Sequence, residues 1–116
     1  MSLTPITVFD MQAELCSAMA HPMRLKVIHL LRNGAQKVNS IAEALQVHQS
    51  TISRHLSVLR KAGILVSTRE GADIFYHVAN PKIVNICETM HDVLAERESE
   101  LSEILVRFEE MLSSQG

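Results

Sequence analysis

One polar stretch of the sequence has the residue types that bond the bases and phosphates of nucleic acids. Between residues 49 and 61 the apolar residues Ile52, Leu56 and Leu59 recur at a spacing that turns one face of a helix toward a core. The opposite face then carries amide, hydroxyl and basic side chains, which are Gln49, Ser50, Ser53, Arg54, Ser57, Arg60 and Lys61. The Gln49 amide and the Arg54 guanidinium have the reach to bond base edges, whereas short hydroxyls let a backbone approach phosphates. This face therefore predicts contact with the major groove of duplex DNA, with Arg60 and Lys61 further along on phosphates.

The residues before this helix predict a second, shorter helix that positions it. Residues 38–45 form a short predicted helix that buries Ile41 and Leu45, and a tight turn at 46–48 joins the two helices. Two helices joined by a three- to four-residue turn are typical of the helix-turn-helix. A polar helix face is often merely solvated, and it is the motif around this one that favours DNA binding. His55, inside the second helix, is expected to pack or to form hydrogen bonds rather than to act as a ligand or an acid-base group.

A β-rich segment follows the polar-faced helix. Residues 64–68 and 74–78 are rich in strand-forming side chains and flank a Gly-containing loop at 69–73, which predicts a hairpin. The predicted fold is therefore mainly α with a small β-hairpin, a winged helix-turn-helix of four helices, the hairpin and a long last helix. Arg69 in the wing and Lys37 before the motif are further predicted DNA contacts.

The charge of the chain is unevenly distributed, although its net value is only −2. Residues 21–69 contain eight Lys or Arg residues against the single acid Glu43, a net charge of +7. Residues 80–116 contain eight acids against three bases, a net charge of −5. The middle of the chain is therefore suited to approach a polyanion, and the C-terminal part is not.

Helical periodicity also appears at both ends of the chain. Apolar residues in 7–20 predict a first helix, and Pro22 suits the first turn of a second one. From 80 to 112 an uninterrupted apolar periodicity predicts a single helix of about 30 residues, or about 45 Å. With Cys87 as an a position, the a and d positions of a heptad repeat can all be buried except Arg97. Residues 80–112 are therefore predicted to be a dimerisation helix within one domain that spans residues 1–116.

The composition limits the class of protein. Hydrophobic residues make up 47% of the chain and aromatic residues only 3%, which favours packed helices and a core without disulfides. No apolar run approaches the about 20 residues needed to cross a bilayer, and a secretory signal is missing, so we expect a cytoplasmic protein without membrane contact. Motifs of phosphate loops, zinc proteases and serine hydrolases are missing too, so we expect neither an enzyme nor a bound cofactor.

Several stretches together resemble a known family. They are AHPMRL at 20–25, QSTISRHLSVLRKAGIL at 49–65, REG at 69–71 and FY at 75–76. Across about residues 14–94 the sequence resembles the ArsR/SmtB family of bacterial repressors. The resemblance implies a homodimer formed by the first and last helices, and repression by operator binding that an inducer relieves. Two symmetric recognition helices would read a palindromic site in successive major grooves, about 34 Å apart.

The metal sites that the resemblance would imply are not completed by this sequence. The family's thiolate site lies at the start of the third helix, and residues 35–45 contain no Cys, His or Asp. A second family site uses acids and histidines of the last helix, where this sequence has Asn80, Lys82, Val93 and Glu96. Because Lys and Val cannot complete a zinc shell, we expect no metal at either place.

Two cysteines remain as candidate sensing residues. Cys16 lies in the first predicted helix and Cys87 in the last, and oxidation could link them by a disulfide or a polysulfur bridge. Cys87 and His91 share a helix face and could instead hold a soft metal or metalloid together with Cys16. The third interpretation is that a free Cys is simply a small buried hydrophobe. A winged helix that binds proteins rather than DNA is the main competing function.

Overall fold

The computed structural model describes residues 5–97 and 101–114. These residues form six α-helices and three short strands, in the order α1, α2, β1, α3, α4, β2, β3, α5, α6. The helices are α1 (Val8–Met19), α2 (Pro22–Leu30), α3 (Val38–Leu45), α4 (Gln49–Lys61), α5 (Pro81–Arg97) and α6 (Leu101–Ser114). The strands are β1 (Gln36–Lys37), β2 (Leu65–Glu70) and β3 (Asp73–Val78), and a 3₁₀ turn at Leu31–Asn33 follows α2. The predicted mainly helical fold with a small hairpin is confirmed.

Local capping defines the first two helices. The Thr7 hydroxyl accepts a hydrogen bond from the Asp10 amide at 3.2 Å, while the Asp10 carboxylate accepts one from the Thr7 amide at 2.8 Å. These bonds stabilise the charged carboxylate and lower the pKa of Asp10. Pro22 occupies the first turn of α2, and the Nδ1 atom of His21 accepts a hydrogen bond from the Met23 amide at 3.0 Å. The break between α1 and α2 therefore lies where the sequence predicts it.

The helix-turn-helix is formed by α3 and α4. Gln46 ends α3 in a left-handed conformation, with φ of 56°, and α4 begins at Gln49 after a three-residue turn. His48 holds the N-cap position of α4. The buried face of α4 consists of Ile52, Leu56 and Leu59, as predicted.

The wing is an antiparallel pair of strands to which a third strand is added. Strands β2 and β3 pair from Leu65 opposite Val78 to Glu70 opposite Asp73, and the connecting turn contains Gly71 with φ of 63°. The sequence prediction placed Arg69 in the hairpin loop, but it lies in β2 opposite Ile74. The short β1 pairs with β3, so the sheet order is β1-β3-β2. Two residues are too short for an alternating pattern, which is why the sequence did not reveal this strand.

The hydrophobic core collects side chains from almost every element. Fully buried residues come from α2 (Val27, Ile28), α3 (Ile41), α4 (Ile52, Leu56, Leu59) and the segment that leads into β2 (Ile64). The recognition-type helix α4 is thus held on its apolar side by the same core that holds α2 and α3. None of the helices described is both long and apolar enough to cross a membrane.

The single straight helix predicted between residues 80 and 112 is wrong, because α5 and α6 both contact His29 of α2, through His91 and Phe108, which one straight helix would hold about 25 Å apart. Helix α6 packs on α2, α3 and α5 within the same chain. Phe108 lies against the core, and the Glu109 carboxylate pairs with the Arg32 guanidinium of the 3₁₀ turn at 2.8 Å. These contacts partly bury the side chains of Phe108 and Leu112. The predicted seam also changes, since Cys87 packs in the core of its own chain.

Candidate nucleic-acid interface

The outward face of α4 carries most of the predicted DNA contacts. Exposed residues on it are Gln49, Ser50, Ser53, Arg54, Arg60 and Lys61, and Ser57 is half-buried beside them. On the opposite side Ile52, Leu56 and Leu59 are each 0% exposed. Because the apolar side is locked in the core, the polar side has a defined orientation toward solvent. All seven predicted residues of α4 therefore lie on one continuous surface.

The electrostatics of α4 favour an anion near its first turn. The helix has no Asp or Glu, and Arg54 lies one turn from its start. Among the described residues, no side chain caps the N-terminus. The Thr51 and Ile52 amides donate to the His48 carbonyl, and the amides of Gln49 and Ser50 remain open to an external acceptor. The helix dipole adds a partial positive charge at the same end.

The wing and β1 carry the other two predicted contacts. Arg69 is exposed on β2, two residues before the turn of the hairpin. Lys37 at the end of β1 pairs with the Asp73 carboxylate of β3, with 3.3 Å between Nζ and Oδ2. Its Nζ atom also lies 5.9 Å from the centre of the Phe75 ring. Lys37 is therefore half-exposed at the base of the wing with its charge partly compensated, and Arg69 extends further out.

A cluster at the start of α2 ties α4 to α1, and sequence reasoning did not find it. The Arg24 Nε atom donates a hydrogen bond to Nδ1 of His55 at 3.2 Å, and its Nη1 atom donates to the Ala18 carbonyl at 3.0 Å. The His21 ring lies 4.4 Å from the His55 ring, centre to centre. Burial, followed by the charges of His21 and Arg24, lowers the pKa of His55.

This geometry confirms His55 as a hydrogen-bonding residue inside the recognition-type helix. Its Nδ1 atom accepts from Arg24, so the ring is held neutral with its proton on Nε2. The sequence signalled Arg24 as one of the eight positive charges of the middle segment and as part of the AHPMRL stretch, but not as a partner of His55. No local pattern links two residues that are 31 positions apart.

The two cysteines lie in different environments. Cys16 is exposed on α1, whereas Cys87 is 8% exposed and packs in the core. Burial, and then the neighbouring Glu88 carboxylate, raises the pKa of the Cys87 thiol. Within residues 5–97 and 101–114, no three His, Cys, Asp or Glu side chains are placed to hold a metal ion. Cys16, Cys87 and His91 are therefore not assembled as a metal site in one chain.

The comparison with known proteins matches this architecture. Residues 21–67 match the family model described as bacterial regulatory protein, arsR family. The transcriptional repressor PagR of Bacillus anthracis is 39% identical over 82 residues, which are 70% of this chain and 82% of PagR. The repressor SmtB of Mycobacterium tuberculosis strain H37Rv is 32% identical over 82 residues, which are 71% of this chain and 61% of SmtB.

A solved structure extends the likeness to the whole winged domain. The solution structure of a homodimeric winged helix-turn-helix DNA-binding domain from Mycobacterium bovis, described as a possible ArsR-family regulator, has a TM-score of 0.71. The two sequences are 26% identical, and the match covers 83% of this chain and 92% of that one. These relatives are transcriptional regulators rather than enzymes. The chain therefore belongs to the ArsR/SmtB family of winged helix-turn-helix, DNA-binding transcriptional repressors.

Proposed function

We propose that the chain is a cytoplasmic repressor that binds a palindromic operator as a homodimer and is released from it by an inducer. The observation that carries this proposal is the polar, acid-free face of α4, which a fully buried apolar face holds outward. The N-terminal half of that face, with Gln49, Ser53 and Arg54, contacts base edges. Its C-terminal half, with Arg60 and Lys61, contacts phosphates.

The remaining predicted contacts support the docking of α4. Ser50 lies at the open N-terminus of the helix, where a hydroxyl and free amides together suit a phosphate. Half-buried Ser57 lets the helix backbone approach the edge of the groove. Arg69 on the wing contacts the neighbouring minor groove or its phosphates, and Lys37 contributes a weaker attraction because Asp73 is 3.3 Å away.

The homodimer is supported by two exposed apolar stripes. On α1 and the residues before it, Ile6, Val8, Phe9 and Met11 are all more than 60% exposed. On α5, Ile86, Met90, Val93 and Leu94 follow a helical spacing and are 40–52% exposed. Apolar side chains grouped in this way are typical of a protein–protein interface. They lie on the first helix and on the helix after the wing, which are the elements that the family resemblance assigns to the dimer.

DNA binding is tested with the duplex upstream of the chain's own gene, labelled for fluorescence anisotropy and titrated over a series of salt concentrations. We expect log affinity to fall linearly with log salt, by about 0.9 per phosphate contact. Arg54→Ala should cost about 1–3 kcal/mol and relax the preference for one base pair. The control is Lys82→Ala, which removes an exposed positive charge from the first turn of α5, away from the polar face of α4.

One set of results from these titrations would contradict DNA recognition. If the affinity shows no salt slope and no sequence preference, and Arg54→Ala behaves like Lys82→Ala, the chain is not an operator-binding repressor. A winged helix that binds a protein would then be the better interpretation.

Dimerisation is tested by placing a charge in the α5 stripe. Met90→Glu should convert the dimer to a monomer in sedimentation velocity, because two like charges would face each other across a symmetric interface. Val106→Glu places the same charge at an equally exposed apolar position on α6 and should leave the mass unchanged. A dimer that persists in Met90→Glu would contradict the assignment of α5 to the interface.

We also propose a thiol switch, which concerns the signal that releases the protein from DNA rather than DNA binding itself. Exposed Cys16 is accessible to a peroxide, which oxidises its thiolate to a sulfenic acid and leaves as water or hydroxide. The thiol of Cys87 then attacks that sulfur, a disulfide forms, and water is lost. Because Cys87 is buried and its pKa is raised, its attack on the sulfenic acid is the slower of the two steps.

The thiol switch predicts that peroxide releases the operator from the native protein but not from Cys16→Ser or Cys87→Ser. Mass spectrometry of the peroxide-treated native protein should show a loss of two hydrogens per disulfide. Equal release from native protein and both variants would contradict this proposal while leaving the DNA-binding proposal intact.

A further inference from the structure

A cavity of about 330 Å³ lies between α2, α5 and α6. Its apolar wall comes mainly from α6, with Ile104, Leu105 and Phe108. Its polar groups are the Lys26 ammonium and two imidazoles, those of His29 on α2 and His91 on α5. The cavity is formed by the folding of α6 onto α2.

The shape of the cavity suits a flat apolar group. The His29 ring lies 5.6 Å from the Phe108 ring and 6.3 Å from the His91 ring, centre to centre. The three rings thus surround the space with aromatic faces and edges, which favour another ring or a branched chain. Pockets for small molecules have volumes of about 300–1,000 Å³ with few polar groups, and this cavity lies at the lower end of that range.

The charge of the cavity favours a ligand with a negative group. Lys26 lies at its edge, with Nζ 5.9 Å from the centre of the Phe108 ring. Among the described lining residues there is no carboxylate. The nearby Glu109 carboxylate is already bound, because it accepts hydrogen bonds from the Arg32 guanidinium at 2.8 Å and from Nε2 of His29. Lys26 therefore has no carboxylate partner within the cavity.

We propose that this cavity binds a small amphipathic carboxylate, which inserts an aromatic or branched aliphatic group among Leu105, Phe108 and the two imidazoles and places its charge at Lys26. His29 also connects the cavity to the position of α6, because its Nε2 atom pairs with the Glu109 carboxylate of α6. A ligand ring that packs against His29 and moves this imidazole therefore changes the pairing between α2 and α6.

The position of α6 connects the cavity to the DNA-binding face. Helix α6 packs on α3, the first helix of the helix-turn-helix, and α2 packs on both α3 and α4. A ligand between α6 and α2 therefore acts on two elements that hold α4. This inference rests on the proposed repressor function and names a chemical class for its inducer.

The site is tested with naphthoate as the anionic probe and naphthalenemethanol as its neutral counterpart, by calorimetry and saturation-transfer NMR on the full chain. We expect one naphthoate per chain, bound more tightly than the alcohol. Ile104→Trp fills the cavity and should abolish binding of both. Val106→Trp places the same side chain on the exposed side of α6 and should preserve binding, since Val106 does not line the cavity.

Lys26→Gln supplies a second variant that leaves the apolar walls intact. It should weaken naphthoate about two- to fivefold, the effect of losing one partly exposed ion pair, and leave the alcohol unchanged. The proposal is overturned if the native protein and Ile104→Trp bind naphthoate equally tightly. It is also overturned if the native protein binds naphthoate no more tightly than the alcohol. Failure of naphthoate to bind, together with a dimer that Ile104→Trp disrupts, would assign this face to a second copy of the chain and also overturns it.

Operator binding by the ligand-free protein separates this inference from the repressor proposal. If the protein binds naphthoate but no DNA, the proposed ligand site is supported and the repressor function is refuted. If it binds DNA but no naphthoate, the repressor function is supported and the ligand site is refuted. If both bind, saturating naphthoate should lower operator affinity in native protein and Val106→Trp, but not in Ile104→Trp; no change in native protein refutes the assignment as inducer.

Discussion

Replacing Arg24 with methionine removes the two hydrogen bonds that join α1 and α4 through the start of α2. Hydrogen bonds to charged groups contribute about 1.5–3 kcal/mol each. Arg24 is half-buried, so solvent competes for both of its bonds, to His55 at 3.2 Å and to the Ala18 carbonyl at 3.0 Å, and each contributes only about 1 kcal/mol. Methionine keeps part of the packing of the arginine stem. We therefore expect Arg24→Met to lower the free energy of unfolding by about 2 kcal/mol.

The assay is urea unfolding followed by circular dichroism. With a slope of about 1–3 kcal/mol per molar urea, a loss of about 2 kcal/mol moves the midpoint down by about 1 M. Arg24→Lys retains the charge, but one ammonium cannot reach both acceptors in the same geometry. This variant should therefore lower the free energy of unfolding by about half as much as Arg24→Met. Lys82→Met, an exposed site on α5, is the control for loss of a positive charge.

Operator affinity gives the second readout of the same change. Because Arg24 holds His55 in the middle of α4, we expect Arg24→Met to weaken operator binding more than its loss of stability alone would, at a temperature where both proteins are folded. If the free energies of unfolding of Arg24→Met and Lys82→Met differ by less than about 0.5 kcal/mol, the two hydrogen bonds do not hold α4, which contradicts the prediction.

Two buried histidines, the Glu109 ion pair and the turn of the wing can each be tested in the same way. Burial lowers the pKa values of His29 and His55 below the ordinary 6.5, so the unfolded chain binds protons more readily. The unfolding free energy should be fully retained above pH 6.5 and fall as the pH drops below it, and His55→Gln should flatten this decline in urea titrations. Glu109→Gln removes the charge that pairs with Arg32 and should lower stability by about 1 kcal/mol, measured by thermal unfolding. Gly71→Ala should cost about 1 kcal/mol, because φ is 63° there, whereas Gly71→Asn should cost less. A pH-independent stability, an unchanged melting temperature for Glu109→Gln, or equal costs for the two Gly71 variants would contradict the respective prediction.

Much of the fold was predictable because its signals are local. Ile52, Leu56 and Leu59 define the buried side of α4 by their spacing alone, and all three are fully buried. Pro22 sets the start of α2 because its ring suits the first turn of a helix. Such signals depend on dihedral preferences and helical periodicity, so they can be recognised without knowing what lies opposite in the fold.

The last helix shows where local signals fail. The a and d pattern of residues 80–112 describes one amphipathic face, and the same face can pack on a partner or fold back onto its own chain. Glu109 and Phe108 decide between these, through contacts with Arg32 and His29, which lie more than 70 residues earlier in the chain. Periodicity cannot distinguish these two solutions, because it shows which side chains are apolar but not which surface they pack against.

The polar face of α4, the basic middle segment and the hairpin could be predicted from the sequence, because each depends on the order of neighbouring residues. Three other features became visible in the folded chain: Arg24 joins α1 to His55, Cys87 is a core residue, and α6 forms a cavity with α2 and α5. They could not be predicted, because they depend on which surfaces meet in three dimensions. Contacts across 31 or 77 positions are selected by packing and charge over the whole chain.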